Sequence, residues 1–271
     1  MPQMNLPRLS ALSQAMDLFF SGYLNELVSR YSQNDLYIIY AGGDDLFVVG
    51  AWHHLPELAE AVRNTFKIYA HHHPALSLSG GVTLENPHFP LYRAAQRAGD
   101  AEHQAKQYIR AVDGKKKGKD AFWFLGKACG WEEWSTVRQQ KDNLLWLVST
   151  EGQEEGEESK KRLSRALLHV IQTIYQLYAV GLRQARKRAR KEGDPLPDPK
   201  MYLGRWMWMQ AYSLSRMAKR SKKDGVKQRL QGVQDAILQP HAVQFSGLAA
   251  RWAEYQTRNK KAGGVEDGRD R

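Results

Sequence analysis

Residues 38–50 read IIYAGGDDLFVVG: an apolar run, two glycines, two aspartates and a second apolar run. The β-branched and aromatic residues from Leu36 to Ala41 and from Leu46 to Gly50 predict two short buried strands, and the glycines between them predict a tight turn. The pattern is a hairpin with adjacent carboxylates, Asp44 and Asp45, at its tip. Gly42 and Gly43 have a local explanation, because a turn needs residues that tolerate positive φ. The aspartates have none. Side by side they repel unless a cation neutralises them, and hard oxygen ligands suit Mg²⁺ or Mn²⁺. A metal pair at such a tip would bridge a nucleoside triphosphate, and glycines without side chains would let phosphate or ribose approach the backbone. Taken alone, GGDD is equally a solvated turn.

The flanking chain narrows the choice. Upstream of the hairpin, Leu9, Leu12, Met16, Phe19, Phe20, Tyr23, Leu24 and Leu27 recur at helical spacing between Pro7 and about Arg30. Downstream, residues 55–70 return to helical period with Leu58, Val62, Phe66 and Tyr69 on one face. ALSLSGGVTL (75–84) reads as a strand, residues 90–110 as a helix, DGKKKGKD as a turn and AFWFLG (121–126) as a strand. The order matches a ferredoxin-like or palm layer, β-α-β-β-α-β, lacking only its first strand.

Beyond this layer, residues 131–150 predict a connecting helix. Residues 151–160 carry five glutamates and two glycines, which bury nothing and predict an acidic linker. From 161 to 271 the periodicity is helical throughout, interrupted by GDPLPDP at 193–199, where proline disfavours helix, and ended by a tail, AGGVEDGRDR, expected to fray. The expected organisation is an α+β palm over 1–130, the connecting helix, the linker, and a basic all-α helical bundle.

With 271 residues, 42% of them apolar, the chain has the material for two cored domains. No apolar run approaches the roughly 20 residues needed to cross a bilayer, and MPQMNLPRLS lacks a secretory pattern, so a cytoplasmic protein with no membrane partner is expected. The lone Cys129 is expected to serve packing. The net charge of +11 favours a polyanionic partner. Its excess lies in the C-terminal half: RQARKRARK (183–191) has six basic residues in nine, and 216–229 has seven against one acid. That basic helix is either a solvated face or a surface for RNA or a charged neighbouring subunit.

IYAGGDDLFVVGAW, preceded by LSALSQAMDLFFSGYLNELV and followed by LSLSGGVTL, FPLYRAAQRAGDAEHQAKQY and GKDAFWFLG, closely resembles the second palm domain of the large subunit of type III CRISPR effector complexes. That palm is related to the nucleotidyl cyclase domain of diguanylate cyclases, and the helical remainder resembles the same subunit's C-terminal domain. The resemblance implies an enzyme that joins ATP into cyclic oligoadenylates when the complex binds target RNA. By it, Asp44 and Asp45 are catalytic metal ligands for two Mg²⁺ or Mn²⁺ ions, Gly42 and Gly43 shape the nucleotide pocket, and Lys106 contacts phosphate, with Lys119 a weaker candidate.

Two departures matter. Ala41 stands where many members have serine before the glycines, and the acidic metal ligand of the family's first palm strand has no counterpart before Pro7. The expected partners are therefore the remaining N-terminal part of the large subunit as a separate chain, the other effector subunits, guide RNA, target RNA and ATP. A scaffold that anchors small subunits and guide RNA is the alternative. A diguanylate cyclase fits less well, because Leu46 follows GGDD where an acidic-aromatic ending is usual. Two further groups invite a role. His71, His72 and His73, with His53 and His54 nearby in sequence, suggest metal, but consecutive histidines splay, so a solvated loop is expected. Trp206 to Met209 offers base stacking or, with Tyr202 and Tyr212 at helical intervals, core or subunit packing.

Overall fold

The described chain opens with α1 (Leu6–Asp17), a π-helical segment (Leu18–Tyr23) and α2 (Leu24–Ser29). The computed structural model describes residues 6–30, 35–112, 114–149, 163–199, 201–239 and 242–259; the acidic linker and the C-terminal tail expected from the sequence lie outside them. A π turn holds more residues than an α turn, which brings successive side chains closer in azimuth. Phe19 and Phe20, adjacent in sequence, thus both enter the core. Leu9 and Leu12, expected on the same buried face, are instead 46% and 44% exposed. The reason is extent: the hydrophobic cluster reaches back only to Met16, and α1 runs past it.

That cluster joins Phe19, Phe20, Leu24, Leu27 and Val28 to Leu36 and to Leu58, Val62 and Phe66 of α3 (Leu55–Tyr69). Pro56 sits in the first turn of α3, where its missing N–H costs nothing. Phe19 meets Phe66 edge-on at 5.3 Å and stacks on Tyr23 at 5.8 Å. Tyr69 remains 40% exposed, and its hydroxyl donates to the Ala15 carbonyl at 2.9 Å.

The hairpin forms as expected, β1 (Leu36–Gly42) antiparallel to β2 (Asp45–Gly50). Ile38, Leu46 and Val48 pack against the cluster. A register irregularity between Ile38 and Tyr40 breaks the alternation, and Tyr37, Ile39 and Tyr40 are exposed, so the strands are half-exposed rather than buried. The predicted 75–84 strand contracts to β3 (Gly80–Val82). It pairs in parallel with β6 (Ala121–Phe124), which pairs antiparallel with β7 (Lys127–Gly130). Between them lie α4 (Leu91–Gln107), which buries Ala101 and Ala105, and the hairpin of β4 (Arg110–Val112) and β5 (Lys115–Lys117) where a plain turn was expected. Phe122 and Phe124 are fully buried, Trp131 stacks on Phe122 at 4.9 Å, and Cys129 is buried beside the Phe122 carbonyl. The layer is thus mixed α+β but not one continuous sheet: β1-β2, β3-β6-β7 and β4-β5 are three separate sheets among the described residues.

The chain divides into two compact units at Trp131/Glu132. Among its described residues the second unit is entirely helical: α5 (Trp131–Val148), α6 (Ala166–Glu192), α7 (Arg205–Arg220), α8 (Asp224–Leu238) and α9 (Ala242–Asn259). Its core includes Leu167, Leu168, Ile171, Ile174, Leu214, Leu230 and Ile237. Trp134 stacks on Trp252 at 5.0 Å, and the Lys141 ammonium lies 4.6 Å from the Trp252 ring centroid. No described helix is long and apolar enough to cross a membrane.

Candidate functional site at the hairpin apex

Gly42 pairs with Asp45 across the hairpin, which leaves Gly43 and Asp44 as a two-residue loop. Gly43 has φ +63°, a left-handed value that costs any side chain with a Cβ, so glycine here is required by the turn itself. Gly42 is different. Its φ is unexceptional, and a Cβ would come no closer than 3.5 Å to the Tyr40 hydroxyl, an ordinary contact. Among the described residues, nothing demands glycine at 42.

Asp44 and Asp45 are both exposed. Among the described residues, neither carboxylate is engaged by an ion pair or hydrogen bond, so both oxygen pairs face open space as hard donors suited to Mg²⁺ or Mn²⁺. A third carboxylate is close. Asp17, the last residue of α1, accepts a hydrogen bond from the Gly43 N–H at 3.3 Å and ties the helix end to the loop. The sequence gives little sign of this contact, since Asp17 is one acid between apolar helix positions and its partner lies beyond the strand.

Lys106 stands in the last turn of α4. Its ammonium donates to Glu102 at 2.6 Å, one helical turn earlier. The hydrogen bond to Glu102 holds the Lys106 pKa above the ordinary lysine value; partial burial opposes it, and the charges of Glu102, Asp45 and Asp44 add to it. The hairpin places Gly42, Gly43, Asp44 and Asp45 at one apex, and Lys106 lies near enough to feel the charges of Asp45 and Asp44. Lys119 is a backbone neighbour of this group, its N–H donating to the Lys106 carbonyl at 3.3 Å.

Beside it stands a charged cluster that sequence reasoning missed. The largely buried Asp120 accepts from the Lys117 ammonium at 2.7 Å and pairs with the Arg63 guanidinium at 3.4 Å. Arg110 donates to the Lys119 and Asp120 carbonyls at 2.8 and 2.9 Å. Burial opposes ionisation of Asp120, but the Lys117 hydrogen bond and the Arg63 charge outweigh it and hold the carboxyl below its usual value. The cluster fixes the backbone at Lys119 and Asp120, both at positive φ, next to the end of α4. Its members are scattered through the chain, and no local pattern announces them.

Of the other residues singled out, His71–His73 fall in an exposed turn after α3. The aromatic group in α7 splits: Trp206 is buried and donates to the Tyr202 carbonyl at 3.3 Å, whereas Trp208 is 82% and Tyr212 65% exposed. In α6, Arg183, Lys187, Arg188, Arg190 and Lys191 are exposed, while Arg186 folds back on the Pro197 carbonyl at 3.3 Å.

Comparison with known proteins finds similarity over the first unit. Residues 2–121 match the family of Cas10/Cmr2, second palm domain. Among similar curated proteins, a "CRISPR system single-strand-specific deoxyribonuclease Cas10/Csm1 (subtype III-A)" of Methanocaldococcus jannaschii is 34% identical over 140 residues, 47% of this chain and 18% of that protein. Proteins of the same description from Thermococcus onnurineus and Streptococcus thermophilus are 31% and 35% identical over 135 and 101 residues, covering 41% and 37% of this chain and 17% and 13% of theirs. The chain thus spans less than a fifth of the length of these relatives. Over residues 2–121 the chain is thus similar to the second palm domain of Cas10/Cmr2.

Proposed function

We propose that the chain works in a type III CRISPR effector complex in the cytoplasm, as part of a metal-dependent nucleotidyltransferase that joins ATP into cyclic oligoadenylates when target RNA is bound. The observation that carries this reading is the pair of exposed, adjacent carboxylates of Asp44 and Asp45 at the tip of a hairpin that lies inside the segment similar to the second palm domain. Asp44 and Asp45 would hold the divalent ions. When bound, such ions lower the pKa of an attacking 3′-hydroxyl and offset charge on the α-phosphate as pyrophosphate leaves. Lys106 turns from Glu102 toward the phosphates, the missing side chain of Gly42 leaves room for the nucleotide, and Asp17 keeps the loop in place through Gly43.

The palm is completed in this reading by a partner chain that supplies a strand and a further carboxylate, giving one ferredoxin-like sheet. The separation of β1-β2 from β3-β6-β7 supports it, since an open edge of that kind calls for pairing. The exposed bases of α6 are the surface for guide or target RNA or for neighbouring subunits of the complex.

The test combines the chain, the candidate partner and guide-target RNA with labelled ATP and Mn²⁺. Cyclic oligomers that disappear in the double variant Asp44→Ala, Asp45→Ala support the reading. Unreacted ATP in the unmutated complex supports a second reading, a scaffold that anchors small subunits and guide RNA, which Ala41 favours by lacking a hydroxyl beside the pocket. Single-stranded DNA added to the same mixture separates either outcome from the cleavage named for the relatives. The isolated chain is expected to be inactive.

A further inference from the structure

The hairpin has a second end. At its base, Asp35 directly precedes β1, and His53 and His54 follow β2 just before α3. One ligand atom from each of these three side chains lies within 4.8 Å of the others. The base is held shut by the backbone: Ala51 N–H donates to the Asp35 carbonyl at 2.7 Å, and a Cβ on Gly50 would meet that same oxygen at 2.0 Å, so only glycine allows the approach. The two histidine rings sit 4.0 Å apart by their centroids, and His54 Nε2 lies 3.4 Å from Asp35 Oδ2.

From this geometry we propose a transition-metal site formed by Asp35, His53 and His54, with Zn²⁺ the best-suited ion. Two imidazole nitrogens and one carboxylate oxygen form a donor set for Zn²⁺, Co²⁺ or Ni²⁺ rather than for the all-oxygen ions suited to the apex. A tetrahedral ion with bonds of about 2.1 Å places its ligand atoms roughly 3.4 Å apart. The His54–Asp35 pair already has that separation, and the exposed His53 closes the rest by a side-chain rotation. Water takes the fourth position. Bound metal would clip the start of β1 to the start of α3 and shut the hairpin opposite the catalytic apex. Six strand residues separate the two ends, about 20 Å at roughly 3.3 Å per residue, so the sites are independent.

The test uses the full 271-residue chain carrying Asp44→Ala and Asp45→Ala, freed of metal with a chelator and titrated with Co²⁺. The site predicts the intense visible absorption of four-coordinate Co²⁺ at one equivalent, its displacement by Zn²⁺, and a higher melting temperature with Zn²⁺. His53→Ala, at an exposed position, and the near-isosteric Asp35→Asn should each weaken Zn²⁺ binding at least about tenfold and abolish the melting shift. His72→Ala, in the neighbouring histidine run, should leave both unchanged. Weak six-coordinate Co²⁺ absorption, or equal responses from the His53→Ala and His72→Ala chains, would reduce the cluster to an ion pair between His54 and Asp35 and overturn the proposal.

Discussion

Helical spacing places Leu12 and Phe19 seven residues apart on one face, yet the fold uses them differently, and truncating each to alanine measures that difference. Phe19 is 1% exposed, with its ring against Phe20, Tyr23, Phe66 and Tyr69. Removing a buried phenyl costs about 3–5 kcal/mol, and the four aromatic neighbours place Phe19→Ala toward the upper figure. At roughly 4 °C per kcal/mol for a unit of this size, the melting temperature of the first unit should fall by about 16–20 °C. Leu12 is 44% exposed and precedes the cluster, so Leu12→Ala should change stability by less than about 0.5 kcal/mol, within about 2 °C. Circular dichroism and differential scanning fluorimetry of the two variants read both values. A Leu12→Ala loss comparable to that of Phe19→Ala would mean that the first half of α1 packs inside the chain, contrary to the described core. Because α1 carries Asp17, such a result would also unseat the contact with Gly43.

Three further outcomes follow from the same structure. Gly43→Ala should cost about 1 kcal/mol through its left-handed φ, whereas Gly42→Ala should be near neutral in chemical denaturation and weaken nucleotide binding in equilibrium dialysis of the assembled complex. Asp120 has a folded pKa below its unfolded value, so its contribution is present above the ordinary aspartate value and fades as pH falls through the lowered folded value; Asp120→Asn should lose on the order of 2 kcal/mol at pH 7, and the gap from the parent should shrink as pH falls below the ordinary aspartate value in denaturant titrations. In the second unit, Trp206→Ala should destabilise by about 3 kcal/mol or more and Trp208→Ala by less than about 0.5, which thermal melts distinguish.

The apex was legible in the sequence because turn chemistry is local. Two glycines and two aspartates between β-branched runs specify a hairpin whatever surrounds it, and the helical stripe of Leu58, Val62 and Phe66 needs only its own spacing. What escaped depends on contacts between distant segments or on small departures from regular geometry. The π-helical segment that buries both Phe19 and Phe20 leaves no mark in a 3.6-residue count. KKK at 115–117 reads as a solvated turn, and becomes an edge strand only because Arg110–Val112 lies opposite. Asp17 meets Gly43 across the fold, and Asp120 gathers Lys117 and Arg63 from two elements. Lys106 stands out by family resemblance rather than by spacing, and Glu102, one turn earlier, is the local signal of how its ammonium is held. Trp208 and Trp206 look alike in sequence, and only the packing of α7 on its neighbours separates the exposed ring from the buried one.

If the hairpin tip seats divalent ions and triphosphate, a structure of the assembled effector particle with ATP and Mn²⁺ will show manganese density against the Asp44 and Asp45 carboxylates and phosphate oxygens within hydrogen-bond reach of the Lys106 ammonium. A well-ordered particle with both aspartates turned to solvent, and the nucleotide bound elsewhere or not at all, would contradict that role.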